Sequence, residues 1–154
     1  MNLLKYFMLQ HLQISVLHGE LLRVSRKGEM KEAKVEMNLT PRLMEMDSGD
    51  KLPSYQVSAR LTLIGGVGES SGPAFKAKVG IETVYQQFSG DPIDISEFTS
   101  HHATLARQIY PLLALELRGV LTRLGLSNIQ LPADLNPGSK KISVSRDEVR
   151  DRIH

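Results

Sequence analysis

The chain has 154 residues, of which 41% are hydrophobic and 23% charged, with a net charge of +2; this is the profile of one globular domain and excludes fibrous and collagen-like classes. The absence of cysteine removes disulfide frameworks, thiolate metal sites and thiol nucleophiles. No apolar run approaches the roughly 20 residues that cross a bilayer, and the Met1–Leu9 stretch is cut by Gln10 and His11 with no small-residue cleavage site after it, so we expect a cytoplasmic protein without membrane insertion.

The excess charge is concentrated at one end. Residues 139–154 hold five basic side chains (Lys140, Lys141, Arg146, Arg150, Arg152) and three acidic ones (Asp147, Glu148, Asp151), so the rest of the chain is neutral. No aromatic residue is interleaved with these cations, a poor footprint for phosphate backbones, and nucleic acid is not expected as a partner. We therefore divide the chain into a domain over 1–138 and a charged C-terminal tail over 139–154. Within the tail Val149 and Ile153 stand four apart, either as a short docking face or as a frayed end.

Taken in order, the first half reads as strands. Leu12, Ile14 and Val16 alternate with His11, Gln13 and Ser15; Val35, Met37 and Leu39 alternate with Lys34, Glu36, Asn38 and Thr40, and Leu43, Met44 and Met46 continue the apolar line loosely. Tyr55–Leu63 places an apolar or aromatic residue at every odd position, the period of a half-buried strand, and Phe75–Glu82 repeats it. Gly65–Pro73 between them has turn chemistry and predicts an antiparallel hairpin, while Arg26–Glu29 and Asp47–Asp50 are polar, glycine-bearing breaks.

After Asp91-Pro92 the period becomes helical. Asp94 with Glu97 three residues on is an N-terminal capping pattern, and Phe98, His102, Leu105 and Ile109 follow at helical spacing. Pro111 is expected to stop or kink that helix and to open a second one. Leu113, Leu117, Val120, Leu121 and Leu124 form the second helix's stripe, widened by Leu112 and Leu115; Gly125 fits its C-cap, and Ile129–Pro132 leaves extended. The predicted fold class is α+β, a four-stranded antiparallel sheet followed by two helices. A single helical layer covers one sheet face, so so broad a leucine stripe predicts a partner subunit against it and hence a homo-oligomer.

Catalytic and ligand-binding signatures are sparse. There is no Gly-x-Ser-x-Gly elbow, and Gly65-Gly66-Val67-Gly68 lacks the Lys-Ser/Thr of a phosphate loop and precedes a strand. His101 and His102 are adjacent, which on a helix separates them by about 100° and disfavours one shared ion. Asp91 and Asp94 flank a loop as caps do. We expect no enzyme, no cofactor and no metal. Function is left to apolar surface: the Val35-Met37-Leu39 strand face with its methionines, and the helical leucines.

From Tyr55 to Leu135 the chain resembles the SecB family of bacterial export chaperones, which includes SecB-like chaperones associated with toxin-antitoxin pairs. The resemblance lies in the alternating strand Tyr55–Leu63, the turn, the second strand opening Ala74-Phe75, the aromatic-proline step Ile109-Tyr110-Pro111, and the helix exit Leu121–Pro132; Ala33–Leu39 is similar to the family's second strand. Leu112-Leu113-Ala114-Leu115 stands where the family is more polar after the proline, which makes this a divergent member. The resemblance implies a SecB-like subunit assembled as a dimer of dimers, a homotetramer with helices between sheets. It also implies ATP-independent holding of unfolded or pre-secretory polypeptides in protein export, the translocase motor SecA or an antitoxin being further partners. The residues it points to as client-binding are Val35, Met37 and Leu39 on the strand and Leu117, Leu121 and Leu124 on the long helix. An oligomeric adaptor without general client affinity is the alternative.

Overall fold

A computed structural model describes residues 2–23, 32–44, 52–66 and 72–143. The breaks at Arg26–Glu29 and Asp47–Asp50, Met46, the centre of the Gly65–Pro73 turn, and Val149 and Ile153 lie outside the described residues. Among these residues the elements are a 3-10 turn at Leu3–Lys5, β1 (Phe7–Leu21), β2 (Glu32–Leu43), β3 (Ser54–Gly66), β4 (Pro73–Gln87), α1 (Ile95–Ser100), α2 (His102–Arg123) and β5 (Gly138–Ser143). The strands form an antiparallel sheet in the order β1-β4-β3-β2-β5. No helix of the described residues is long and apolar enough to cross a membrane.

The four expected strands and two helices are present, with two differences. The first is β5, which adds a fifth strand antiparallel to the start of β2, Gly138 opposite Met37 and Ser143 opposite Glu32. The start of the charged tail is thus sheet edge, recruited by backbone pairing of Ser139, Lys140 and Lys141 with β2. Second, the helices divide at His101, not at Pro111. Asp94 caps α1 by accepting from the Glu97 N–H at 2.9 Å, as its spacing predicts, and α2 then runs through Pro111 without a break. Pro111 sits on the exposed side of α2, where water can satisfy the carbonyl its missing N–H leaves free.

Alternation in β3 and β4 sends Val57, Ala59, Leu61, Leu63, Ala77, Val79, Ile81 and Tyr85 to one face, all buried beneath α2. Gly65 and Gly66 belong to β3 and not to the turn; a Cβ at Gly65 would stand 2.0 Å from the Phe75 ring, so glycine is what lets that ring lie flat in the sheet. At the other end Phe98 of α1 inserts among Phe7, Tyr55 and Tyr85, with ring centroids 4.9, 4.6 and 5.8 Å away. Buried Gln87 organises the chain between β4 and α1, donating to the Ser89 and Asp91 carbonyls and accepting from the Ile93 N–H. Burial pushes the Tyr85 phenol well above its usual range, and its hydroxyl donates to Gln108 of α2 at 2.8 Å.

The helix ends as Gly125 predicts. Gly125 has φ +77°, the Leu126 N–H donates to the Leu121 carbonyl at 2.8 Å and the Gly125 N–H to that of Thr122 at 3.1 Å, a Schellman closure. The return segment after it is held back on the helix by the Tyr110 hydroxyl, which donates to the Pro132 carbonyl at 2.6 Å.

Candidate functional site

Leu113, Leu117, Val120 and Leu121 are buried, and the return segment brings Ile129 and Leu135 into the same core. The broad leucine stripe is therefore covered within the chain, by the sheet beneath and the return segment beside it. The partner subunit inferred from that breadth is not demanded by it, because a second covering layer comes from Ile129–Leu135. What remains exposed on α2 is Leu115, at 61%.

Two surfaces flank α2. On one side, an open groove of about 400 Å³ lies between the helix and the return segment. Tyr110, Pro111, Ala114 and Leu121 form one wall, Ile129, Leu131, Pro132 and Ala133 the other, with Arg118, Thr122, Ser127 and Gln130 completing the lining. Its walls are pinned together by the Tyr110–Pro132 hydrogen bond, while the Thr122 hydroxyl is turned back onto its own helix, donating to the Arg118 carbonyl at 2.9 Å. Burial raises the Tyr110 pKa, with the Arg118 charge opposing and the Asp134 charge adding to that shift, so this phenol stays a hydrogen-bond donor at neutral pH. The lining offers one cation, hydroxyls and a carboxamide interspersed with apolar side chains, chemistry suited to contacting side chains while hydrogen-bonding an extended backbone.

On the opposite side is β1, an edge strand whose phase is set by two bulges. Directly paired residues share a sheet face, and the register places Phe7, Leu9, Leu12, Ile14, Leu17 and Leu21 beside Gln87, Tyr85, Thr83, Ile81, Val79 and Phe75, all on the helix side. Register shifts at Leu9/His11 and Ile14/Val16 re-phase the alternation. Val16 consequently faces away, opposite Gly80, and does not continue the Leu12-Ile14 line as simple alternation predicts. Leu12, Ile14, Leu17 and Leu21 are 41, 43, 49 and 50% exposed, a row of half-covered leucine and isoleucine along the sheet's edge strand among the described residues. Gly19 lies under α2, where a Cβ would stand 2.5 Å from Val120 Cγ1, so the flank of α2 carrying Val120 looks onto β1. At about 100° per residue Leu112 and Glu116 share that flank.

The six residues singled out from the sequence separate accordingly. Val35, Met37 and Leu117 are fully buried in the core, and Leu121 presents only its edge to the groove. Leu39 and Leu124 are half-buried, Leu124 where α2 closes over Gly19. The strand alternation that marked Val35 and Met37 as an apolar face is the same pattern that makes core, and the chain fills it. Sequence reasoning missed the groove's second wall, since Ser127–Ala133 has no periodicity, and missed Leu17 and Leu21, since bulges hide the period. His101 is half-buried and His102 exposed at the α1–α2 junction.

No protein-family model and no curated protein matches the sequence. Among solved structures, the chain is similar to a SecB-like chaperone from Mycobacterium tuberculosis, solved in complex with a peptide from the HigA1 antitoxin. The identity is 14%, the TM-score 0.64, and the match covers 84% of this chain and 92% of that one. A protein of unknown function from Streptococcus agalactiae matches over 84% of this chain and 96% of its own at 12% identity and a TM-score of 0.35. The fold of this chain is that of a SecB-like subunit.

Proposed function

We propose that this protein is an ATP-independent holding chaperone that takes an extended, non-native polypeptide into the groove between α2 and the return segment. The observation that carries the reading is the groove itself, open, about 400 Å³ in volume and lined by apolar and polar side chains together, on a SecB-like fold. Each large apolar side chain sequestered there contributes about 1.5–3 kcal/mol before the ordering of the client is subtracted. Binding of this kind needs no catalytic group and no nucleotide. The clients are unfolded or pre-secretory chains in the cytoplasm, delivered to export through a motor such as SecA. A second reading, a dedicated antitoxin chaperone, is favoured by the antitoxin peptide bound to the similar mycobacterial protein.

The assembly we propose is a homo-oligomer closed through the β1 row, where Leu12, Ile14, Leu17 and Leu21 leave apolar area open beside an edge that pairs with no further strand among the described residues. The test of the chaperone reading is light scattering of a chemically unfolded, unrelated protein diluted into buffer with and without a stoichiometric amount of this one, no nucleotide added. Suppression of aggregation that is lost in Ala133→Glu, a charge at the groove wall, is the expected result. Suppression unchanged by that substitution overturns the groove assignment, and no suppression by the folded protein, together with capture of a single antitoxin partner, transfers the function to the dedicated reading.

A further inference from the structure

The outer face of the sheet, turned away from α2, carries a polar cluster that converges on one carboxylate. Ser15 is the extra residue at the second bulge of β1, between Ile14 and Val16. Its hydroxyl donates to Glu82 Oε2 at 3.0 Å and accepts from Arg60 Nη1 at 2.8 Å, and that same Nη1 lies 3.4 Å from Glu82 Oε2. On the far side Glu82 Oε1 accepts from the Ser58 hydroxyl and from Gln56 Nε2. Arg60 crosses the sheet to reach this point because its partner in β4 is Gly80, where a Cβ would stand 2.0 Å from Nη1. Three strands are thereby tied at the bulge.

A bulged residue left unpinned can migrate along its strand, and every step it takes flips the residues it passes to the other face. Here the stakes are the residues from Val16 to Leu21. In the observed phase Leu17 and Leu21 lie on the helix side with Leu12 and Ile14, and Gly19 sits beneath Val120 and Leu124. In the flipped phase Val16, His18 and Glu20 would take those places, putting an imidazole or a carboxylate into a gap too tight for a Cβ.

We propose that Ser15, gripped by Glu82 and Arg60, is a positioning residue that locks the phase of β1 and so composes the apolar row on its helix side. The lock itself is read from register and hydrogen bonds alone; only its consequence for assembly rests on the proposed self-association through that row.

Hydrogen exchange resolved along β1 tests it. Ser15→Ala is expected to speed exchange of the 16–21 amides by about tenfold relative to those of β3, with Ser15→Thr restoring protection. Deleting Ser15 is the decisive companion. Removing the extra residue leaves Ile14 and Val16 opposite adjacent residues, Ile81 and Gly80, in a regular ladder of the same phase, which needs no lock. Glu82→Gln is therefore expected to loosen 16–21 in the full-length chain and to leave the deletion variant unmoved. An equal effect of Glu82→Gln in both backgrounds, or none in either, overturns the proposal. Sedimentation of the same set separates the two readings: a parent that is monomeric refutes self-association while the exchange pattern still decides the lock.

Discussion

Gly19 is where α2 and the edge strand come closest, and replacing it measures how rigidly that contact is set. A Cβ at residue 19 would stand 2.5 Å from Val120 Cγ1 and 3.1 Å from Leu124 Cδ1, so one neighbour must retreat by about 1 Å from ordinary contact distance. Val120 is β-branched and buried at 8% exposure, which leaves it little rotamer freedom to do so. Overpacking of this size costs about 1–3 kcal/mol, against which the reduced entropy of the unfolded chain returns about 0.4–1 kcal/mol. Gly19→Ala is thus expected to destabilise by about 1–2 kcal/mol. Val120→Ala alone removes two methyl groups and costs about 1–2.5 kcal/mol, but in its presence the 2.5 Å clash no longer exists. The double variant should then fall short of additivity by about 1 kcal/mol or more, a coupling read from urea midpoints of the four proteins. Additivity within about 0.5 kcal/mol, or a neutral Gly19→Ala, would refute the account of the α2–β1 contact.

Three further outcomes follow from other parts of the structure. Met37→Ser should unfold at much lower denaturant, by about 3 kcal/mol, because it empties a fully buried site, whereas Leu39→Ser, half-buried, should cost distinctly less; comparable losses would contradict the assigned burial. Tyr110→Phe, which removes the hydroxyl donated to Pro132, should cost about 1 kcal/mol and raise hydrogen exchange in 127–133, and unchanged exchange there would mean the return segment is held by packing alone. Burial by itself would raise the Glu82 pKa, but the hydrogen bonds from Ser58, Ser15 and Gln56 and the Arg60 charge outweigh it and hold it below its ordinary value of 4.5. A depressed folded pKa means that its stabilisation is complete above the ordinary value and is lost as pH falls through the folded one, so Glu82→Gln should flatten the acid limb of a stability-pH curve and leave its neutral limb parallel to the parent's.

Much of the fold was legible because core and solvent faces alternate without interruption in β3 and β4, and because the Asp94 cap and the Gly125 exit carry local chemistry that needs no tertiary help. The α1–α2 division was misplaced at Pro111, since proline on a solvent-facing helix position loses a hydrogen bond that water replaces. β5 was hidden because Ser139-Lys140-Lys141 has no apolar period; its pairing with β2 is a long-range backbone event. The candidate site was the least legible part. Val35, Met37 and Leu117 carry the strongest apolar signal and are core for that reason, while the groove takes one wall from an aperiodic segment and the β1 row becomes continuous only once Gln10 and Ser15 are recognised as extra residues.

β5 covers β2 only from Glu32 to Met37, so among the described residues the stretch from Asn38 to Leu43 has β3 on one side and no strand on the other. A protein whose proposed work is to keep unfolded chains close offers, at such a place, a template on which they can line up as cross-β. Pro41 stands in the middle of that stretch, opposite Val57, and with no N–H to give it breaks the ladder any incoming strand would need. The one imino acid in β2 therefore denies an incoming backbone a continuous register along this stretch.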